Sequence, residues 1–588
     1  MARAFVGIDL GTTHTALAFA PADGDERIAS MEIVQRVARE LVEARDLLPS
    51  VLRLAGDSPD GDTLPWGASA QSVGELARQE LATTPGRVVA SSKSWLVHRS
   101  IDRRAKLLPL AAEPGDQTVS PVDVARAFFT HLAGAWRHAQ GTELGSQEVV
   151  VTVPASFDAV ARELTALAAR EAGLPEVTLL EEPQAAFYAW MDRLGERWRK
   201  ELRVGDRILV VDVGGGTTDL TLLRVAEEGG ALVLERVAVG DHLLLGGDNV
   251  DLALAQILRG KLEAQGKTLG GHELAALTGL ARRAKEALLA DAAPDAFPLA
   301  LAARGAKLMG GTWRTELSRD EVVGVAVDGF FPRVERDARP VRRVRSGLAQ
   351  LGLPYASDSA ISRHLAAFLG AHAGGPGATM PTAVLFNGGV FKGAAVRARV
   401  VEILEAWARD ADEPAPRVLP GEDLELAVSR GAAAFARARA GHGVRIRGAT
   451  ALAYYVGIED VSPAVPGLDP PIRALCIAPK GMEEGARATL PTESVGVVVG
   501  EAVHLRFFVS SARKGDRVGA MFEHRDGADD LVELAPIRVQ FASTAFPAGE
   551  VVAARFESEF TERGALVLRA RIATGEEFQV DLAMRDAS

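Results

Sequence analysis

The pattern of apolar and small residues near the start of the chain predicts a β-hairpin. An apolar strand over residues 5–10 runs into the turn Gly11-Thr12-Thr13, and a second apolar stretch follows over residues 16–20. The same pattern returns at residues 207–213, with three glycines, Thr217 and the apolar residues 220–223 after it. Two such hairpins in one chain predict two related lobes that face each other.

Strands and helices alternate through residue 440. Residues 149–154 predict a strand, Asp158 is a helix N-cap candidate, and the helical spacing of apolar residues ends at Gly173. A second strand followed by a helix is predicted at residues 383–386 and beyond. The buried face of this amphipathic helix is predicted to contain Val396, Val400, Ile403, Leu404 and Trp407. This alternation is typical of an α/β domain.

The pattern changes after residue 440. Apolar residues alternate with polar ones over 566–572 and again at Phe578, Val580, Leu582 and Met584, with turn residues 573–575 between. A period of two predicts antiparallel strands. We therefore expect an all-β sandwich domain over residues 451–588, joined to an α/β domain over residues 1–440 by a linker at 441–450.

Composition limits the classes of function. The 588-residue chain is long enough for several domains, and its net charge of −12 argues against a nucleic-acid partner. The single cysteine, Cys476, excludes an intramolecular disulfide, and its apolar neighbours predict a buried thiol. No long apolar run or signal segment is found, so we expect no membrane partner and a cytoplasmic location.

The two predicted turns have the chemistry of phosphate cradles. Glycine lets backbone N–H groups approach a phosphate closely, and Gly11-Thr12-Thr13 and Gly214-Gly215-Gly216-Thr217 both supply such groups. Asp9 and Asp212 stand at corresponding strand ends, where two carboxylates near phosphates would hold Mg²⁺ through water molecules. Residues 266–268 look like the end of a P-loop, but the spacing to Gly260 and the helical pattern before them reject that interpretation.

Further motifs make the chain resemble the DnaK, or seventy-kilodalton heat-shock, chaperone family. The matching segments are residues 151–157, 180–186, 244–251, 386–389 and 427–433. The resemblance implies an α/β actin-like (ribonuclease-H-like, duplicated) ATPase domain followed by the β-sandwich domain. It also implies that Pro183, Gly431 and the alanines beside them let two connecting helices pack closely between the lobes.

The resemblance also implies roles for individual residues, with ATP and Mg²⁺ as cofactors. Lys93 would stabilise the transferring phosphoryl group, Glu182 and Asp212 would orient the attacking water, and Thr217 would contact the γ-phosphate. Asp9, Asp212 and Asp219 would surround the metal. The nucleotide would contact Gly11, Thr12, Thr13, Gly214, Gly215, Gly216, Gly247, Lys285, Gly388 and Gly389.

Several positions depart from the family pattern. His14 replaces a tyrosine, Arg282 and Glu286 reverse the usual order of charges around Lys285, and Val390 and Lys392 alter the adenosine loop. Arg282 and Glu286 are spaced to pair across one helical turn. The acidic linker is replaced by residues 444–450, and no helical segment follows the last strand, so we expect a divergent, lidless member.

The predicted function is that of an ATP-dependent chaperone-like protein that hydrolyses ATP slowly to regulate polypeptide binding. Its partners would be unfolded or extended polypeptides, a J-domain cochaperone and a nucleotide exchange factor. One alternative is a nucleotide-gated interaction module for a dedicated protein partner. The other is an actin-like or sugar-kinase-type phosphotransferase, since the same fold hosts both activities.

Overall fold

The computed structural model describes most of the chain. The described residues are 3–22, 27–38, 40–55, 62–81, 84, 86–98, 101–228, 231–240, 242–302, 312–341, 353, 355–372, 380–421, 424–442, 450, 452–459, 471–480, 482, 485–490, 495–510, 513, 515–524, 530–534, 536–542, 545–561 and 566–582. They form two compact units. The first comprises Met1–Phe157, Glu163–Leu223 and Val239–Arg445, and the second comprises Asp158–Arg162, Arg224–Ala238 and Ile446–Ser588.

The first sheet of the α/β region is built around the N-terminal hairpin. Its strand order is Val177–Glu181, Glu148–Val153, Ala4–Leu10, His14–Pro21, Ala29–Ser30, with Leu48–Pro49 also paired to His14–Pro21. Ala4–Leu10 is antiparallel to His14–Pro21 but parallel to Glu148–Val153, which is in turn parallel to Val177–Glu181. The three parallel strands therefore end at one edge of the sheet.

The second sheet repeats this strand order. It runs Ala231–Val239, Thr218–Glu228, Arg207–Val213, Ala383–Asn387, Arg417–Val418, and the last three strands are parallel. Each sheet thus has a hairpin followed by two parallel strands that enter through helical connections. Smaller sheets and ribbons are formed by Val51–Arg53 with Ser72–Val73 and Val88–Ala90, Ile33–Ala38 with Leu41–Arg45, Asp62–Leu64 with Gly67–Ser69, and Ala296–Ala302 with Thr312–Ser318.

Helices fill the connections between these strands. The helix Pro121–Gln140 begins at a capping box between Ser120 and Asp123 and ends at Gly141, whose φ of 66° stops the helix. The other described α-helices are Glu75–Glu80, Ser92–Trp95, Ala159–Glu171, Glu182–Leu194, Trp198–Glu201, Gly247–Ala264, Gly271–Leu288, Arg319–Val323, Ile361–His372, Ala394–Asp410 and Ala427–Arg439. Short 3₁₀ turns lie at Leu144–Ser146, Gly195–Arg197 and Gly389–Lys392, and a π turn at Gly324–Gly329.

The C-terminal region is built from antiparallel strands. One five-stranded sheet has the order Met521–Glu523, Ile472–Ala478, Ala453–Glu459, Phe507–Ser510, Val532–Glu533. The other contains Arg487–Thr489, Val551–Phe560, Leu566–Ile572 and Glu577–Leu582, with Gly496–Val498 also paired to Val551–Phe560, and Ala502–Leu505 pairs with Ile537–Gln540 in a separate ribbon. Side chains from both sheets, such as Leu475, Phe507, Phe556 and Leu568, share one apolar core.

The element predictions agree with the structure where it describes the residues. Both hairpins form, the Asp158 carboxylate accepts a hydrogen bond from the Ala161 N–H at 2.7 Å, and Cys476 is buried. Residues 266–268 follow the helix Gly247–Ala264 rather than a strand, as expected. Met584 and linker residues 443–449 lie outside the described residues. No helix in the described part of the chain is long and apolar enough to cross a membrane.

Two helices pack unusually closely beside the first sheet. The first connecting helix, Glu182–Leu194, lies against the second connecting helix, Ala427–Arg439. A Cβ added to Gly431 would lie 1.7 Å from the carbonyl oxygen of Ala185, which is backbone and cannot move aside. The close packing predicted around Gly431 is therefore confirmed, and glycine is required there for the helices to touch.

We expect Gly431→Ala to destabilise the protein by about 1–3 kcal/mol, because overpacking against backbone forces the two helices apart. Chemical denaturation measures this change in the free energy of unfolding. Gly260→Ala is the matched control, since Gly260 also lies inside a helix but a Cβ there meets no atom within 4 Å. The control should be neutral or stabilising by about 0.5–1 kcal/mol. Equal effects of the two substitutions would contradict the close-packing explanation.

Candidate functional site

A large cavity lies within the first unit, at the ends of the two hairpins. Its volume is about 1320 Å³, and its walls include residues from both hairpin turns. The parallel strands of both sheets direct their carboxyl ends toward it, which is the edge where open α/β sheets bind ligands. Every residue predicted from the sequence to act at the site contributes to the lining: Asp9, Gly11, Thr12, Thr13, Lys93, Glu182, Asp212, Gly214, Gly215, Gly216, Thr217, Asp219, Gly247, Lys285, Gly388 and Gly389.

The two hairpin turns touch each other. A Cβ added to Gly215 would lie 2.5 Å from Oγ1 of Thr13, so the turns approach to van der Waals contact. The second turn is held internally, since Gly214 N–H donates to the carbonyl of Thr217 at 2.9 Å and Gly247 N–H donates to the carbonyl of Gly214 at 3.0 Å. The result is a backbone cradle built from both halves of the α/β region.

Asp9 and Asp212 are held in equivalent ways in the two sheets. Asp9 is in register with Thr152 on the adjacent parallel strand, and Thr152 Oγ1 donates to Asp9 Oδ1 at 3.0 Å. Asp212 is in register with Asn387, and Asn387 Nδ2 donates to Asp212 Oδ2 at 2.7 Å. Within the described part of the chain, the other oxygen of each carboxylate accepts no hydrogen bond and stays available to a ligand.

A third carboxylate, Asp219, is anchored by loop residues rather than by a neighbouring strand. Ser156 Oγ lies 3.3 Å from its Oδ1, and His242 Nδ1 lies 3.0 Å from the same oxygen. Burial lowers the pKa of His242, but the Asp219 carboxylate outweighs that effect and raises it above its usual value. An imidazolium hydrogen-bonded to a carboxylate is the arrangement that this shift favours.

Lys93 and Glu182 form a buried ion pair on the cavity wall. Lys93 Nζ bonds to Glu182 Oε1, and the lysine side chain is only 6% exposed. Burial lowers the pKa of Lys93, but the Glu182 and Asp9 carboxylates reverse that effect and the net shift is upward. The lysine is therefore fully charged at neutral pH.

The carboxylates of the cavity exceed the cations that face them. Burial raises the pKa of Glu182 to about 7, although Lys93 opposes the shift. Burial and the Glu182 carboxylate together raise the pKa of Asp212 to about 8, and burial raises the pKa of Asp9 as well. Burial is the largest cause of these upward shifts, and a cation bound beside the carboxylates would offset it by stabilising their charged forms.

The opposite wall of the cavity carries basic side chains from the helix Gly271–Leu288. Lys285 Nζ donates to the carbonyl of Gly247 at 3.1 Å and lies 2.7 Å from Asp251 Oδ1. Arg282 bonds to Asp251 at 2.8 Å and to Asp248 at 2.5 Å, both on the neighbouring helix Gly247–Ala264. Glu286, which is spaced to pair with Arg282 along the helix, acts on it through its charge, while Asp248 and Asp251 form the hydrogen bonds to the guanidinium.

The residues that the sequence assigns to an adenosine loop lie beside this wall. Gly388 has a φ of 87°, which turns the chain out of the strand Ala383–Asn387 and into the 3₁₀ turn Gly389–Lys392. Lys392 at the end of that turn forms an ion pair with Glu425. His14, which stands on the other hairpin, has its pKa lowered to about 3 by burial and by the charges of Arg78, Arg282 and Lys392.

The match to known proteins agrees with this geometry. The family model described as Hsp70 protein matches residues 63–344. Chaperone protein HscA of Proteus mirabilis (strain HI4320) is 33% identical over 270 residues, covering 44% of this chain and 38% of that protein. Chaperone protein HscA of Edwardsiella ictaluri (strain 93-146) is 32% identical over 333 residues, covering 54% of this chain and 46% of that protein.

The Hsp70 family model covers just under half of this chain. The resemblance predicted from its motifs is thus confirmed. A third relative, the chaperone protein HscA homolog of Acinetobacter baylyi (strain ATCC 33305 / BD413 / ADP1), is 29% identical over 296 residues, covering 49% of this chain and 42% of that protein. The chain spans less than half the length of each of these three relatives.

Some residues that shape the site were not predicted from the sequence. Thr152, Ser156, His242 and Asn387 all hold carboxylates of the cavity, yet none was assigned a role. Asn387 and Thr152 were within reach of sequence reasoning, because they lie in recognised motifs at the ends of predicted strands. Ser156 lies in the same motif as Thr152 but beyond the strand, and His242 lies after a strand of the other sheet, so neither position indicated a contact with Asp219.

The residues present fit a hydrated magnesium ion. Asp9, Asp212 and Asp219 each keep one carboxylate oxygen without a hydrogen-bond donor among the described residues, and Mg²⁺ prefers oxygen ligands. No three or more His, Cys, Asp or Glu side chains in the described ranges are arranged to ligate one ion directly. Mg²⁺ bound here would accordingly keep several waters and share them with phosphate oxygens.

The raised pKa of Asp212 predicts how the metal-free, nucleotide-free protein responds to pH. A carboxyl whose pKa is higher in the folded than in the unfolded state stabilises the fold below its unfolded value, near 4, and that stability is lost as pH rises through about 8. We expect the free energy of unfolding to fall between pH 5 and pH 8, and Asp212→Asn to recover on the order of 1–3 kcal/mol at pH 8.

Denaturant unfolding at a series of pH values measures this effect. Asp206→Asn is the control of opposite sign, because hydrogen bonds and Arg417 outweigh burial and lower the pKa of Asp206. That variant should lose stability at pH 8. A stabilising effect of Asp206→Asn, or a pH profile unchanged by Asp212→Asn, would contradict the charge imbalance inferred for the cavity.

Proposed function

We propose that the protein is an Hsp70-type ATPase that binds Mg²⁺ and ATP in the cavity of the first unit. Slow hydrolysis would regulate polypeptide binding by the second unit, here called the β-unit because residues 446–588 form most of it. One observation carries the proposal: two matching hairpin turns, three acidic side chains and a buried lysine from separate parts of the chain line one cavity. This set provides a phosphate cradle, a cation site and a positive charge for a phosphoryl group.

The architecture supports an actin-like, ribonuclease-H-like duplicated ATPase domain. Both sheets have a hairpin followed by parallel strands in the same order, and the anchored acids Asp9 and Asp212 occupy equivalent positions in them. A duplicated fold of this kind places one phosphate-binding turn on each side of the nucleotide. We place this domain over residues 1–440, a linker over 441–450 and the β-sandwich over 451–588.

Each polar group of the cavity has a role in the proposed reaction. The backbone of Gly11, Thr12, Thr13, Gly214, Gly215 and Gly216 would bind phosphate oxygens, and Thr217 would contact the γ-phosphate. Lys93, charged and buried, would stabilise the negative charge that develops on the transferring group. Glu182 and Asp212 would accept hydrogen bonds from the attacking water and orient it toward the phosphorus. Gly247, Lys285, Gly388 and Gly389 would surround the adenosine.

The metal adds charge neutralisation to this arrangement. Asp9, Asp212 and Asp219 would hold Mg²⁺ through its waters, and the ion would supply positive charge to the phosphate oxygens and compensate the buried carboxylates. Each of the three carboxylates is anchored through one oxygen, so the protein would present its metal-binding groups in fixed directions.

The β-unit would bind extended polypeptide. Its strands are antiparallel, several are short, and Val532–Glu533 and Met521–Glu523 form the two edges of one sheet. A sheet edge or the loops around it can hold an extended chain through main-chain hydrogen bonds. By analogy with the family, the partners would include unfolded polypeptides, a J-domain cochaperone and a nucleotide exchange factor, in the cytoplasm.

Removing the lysine charge tests the ATPase mechanism. Lys93→Ala should keep ATP binding but lower the hydrolysis rate on the order of 10²–10³-fold, because stabilisation of a developing charge acts only in the transition state. Single-turnover hydrolysis and calorimetric ATP binding measure the two quantities. Lys267→Ala is the control, since Lys267 lies outside the cavity lining and over the ring of Trp313. Unchanged turnover in Lys93→Ala would remove the lysine from the mechanism.

Polypeptide binding by the full chain tests the chaperone assignment. We expect a fluorescent, permanently unfolded polypeptide to bind the protein, with an affinity that differs between ADP and ATP. Fluorescence anisotropy measures both affinities, and Lys93→Ala is useful as a variant that stays in the ATP state. Capture of a single folded protein in place of unfolded chains would favour the dedicated-partner alternative. Affinity independent of nucleotide would show that hydrolysis does not regulate the β-unit.

A further inference from the structure

His242 has no role in the mechanism above, yet it lies in direct contact with the acidic cluster. Its imidazole is buried, with only 8% of the side chain exposed, and its Nδ1 is 3.0 Å from Oδ1 of Asp219. The Asp219 carboxylate also lines the cavity, whereas His242 does not. The histidine therefore stands behind the carboxylate, on the side away from the nucleotide.

Both hydrogen-bond donors to Asp219 reach the same oxygen. His242 Nδ1 and Ser156 Oγ converge on Oδ1, at 3.0 Å and 3.3 Å. Among the described residues, Oδ2 accepts no hydrogen bond. A carboxylate held through one oxygen by two donors cannot rotate freely, so its second oxygen keeps a fixed direction.

Asp219 needs such donors because of its place in the sheet. Asp9 and Asp212 receive theirs from Thr152 and Asn387, the residues in register on adjacent parallel strands. Asp219 lies instead at the start of the antiparallel strand Thr218–Glu228, next to the turn. Its donors come from the segment after Glu148–Val153 and the segment after Ala231–Val239.

The contact with Asp219 also determines which nitrogen of His242 is the donor. Nδ1 is the donor to Asp219, whether the ring is neutral or charged, because it faces a carboxylate oxygen, and Nε2 is buried with no hydrogen-bond partner in the described part of the chain. The ring of Phe157 lies across the imidazole edge at a centroid distance of 6.5 Å. Only the Asp219 side of the ring is thus engaged, which gives the histidine one specific polar contact.

We propose that His242 is a positioning residue that fixes the Asp219 carboxylate with its free oxygen toward the magnesium site. The inference rests on the proposed function, because it assumes that the cation binds beside Asp219. Residues that orient metal-binding carboxylates from behind are typically worth about 10–100-fold in metal affinity. The contribution of His242 should therefore appear in metal binding itself and not only in turnover.

The test is the affinity of the full-length protein for Mn²⁺ in the presence of ADP, measured by electron paramagnetic resonance as a probe of the magnesium site. His242→Phe keeps the ring but removes the donor, and His242→Gln can place its amide only near the former Nε2. Both should weaken Mn²⁺ binding by about 10–100-fold. His242→Asn places an amide N–H where Nδ1 stood, so it should restore affinity to nearly that of the wild type.

A matched control separates this effect from general damage to the fold. His131 is also buried, and its Nε2 contacts the carbonyl of Val34 at 2.9 Å, away from the cavity lining. His131→Gln should leave Mn²⁺ affinity unchanged. If His242→Phe does not fold, Ser156→Ala, which removes the other donor to the same oxygen, should still weaken Mn²⁺ binding relative to the wild type.

The outcomes distinguish this inference from the proposed function. Wild-type protein that binds no Mn²⁺ with ADP would overturn both. Wild-type binding that His242→Phe, His242→Gln and Ser156→Ala all leave unchanged would overturn only the role of His242. Loss of affinity in His242→Asn equal to that in His242→Phe would also contradict it, because the hydrogen bond to Asp219 would then not be the property that matters.

Discussion

The arrangement of the cavity depends on gathering four carboxylates, those of Asp9, Glu182, Asp212 and Asp219, around a single buried lysine and a buried histidine. Like charges in a partly buried space repel each other and lose hydration, which is why the pKa values of several of these acids are raised. The protein alone relieves only part of this charge. A divalent cation bound there would remove the remainder, so metal binding and the stability of the cavity would be two aspects of one electrostatic balance.

The duplication of the sheet makes this gathering feasible. In each half, an acidic residue at the end of the first strand is held by the residue in register on the next parallel strand, Asp9 by Thr152 and Asp212 by Asn387. Backbone register alone therefore places two carboxylates and their donors, without any long flexible side chain. Beside the first sheet, the two connecting helices pack in backbone contact at Gly431.

Sequence reasoning predicted the parts of the site that are local in the chain. Glycine-rich turns, strand-end acids such as Asp212 and the family motif around Lys93 are each readable within a few residues, and all of them line the cavity. His242 escaped prediction because its partner comes from another loop. The hydrogen-bond partners of Arg282 escaped prediction for a related reason: helical spacing considers neighbours within one helix, such as Glu286, whereas Asp248 and Asp251 lie on an adjacent helix.

Arg282 carries a positive charge where the family pattern has an acidic residue, and the cavity wall around it accommodates this change. Its guanidinium contacts Asp251, whose side chain is fully buried, through Nε, and it contacts Asp248 in the cavity wall through Nη2. An arginine left unpaired there would repel the nearby Lys285, whose own ammonium contacts Asp251. Because Asp251 serves both cations, the helix Gly247–Ala264 and the helix Gly271–Leu288 are tied at the point where adenosine would bind. The altered residue therefore holds the wall in place through its partners, because both of its carboxylates lie on the facing helix.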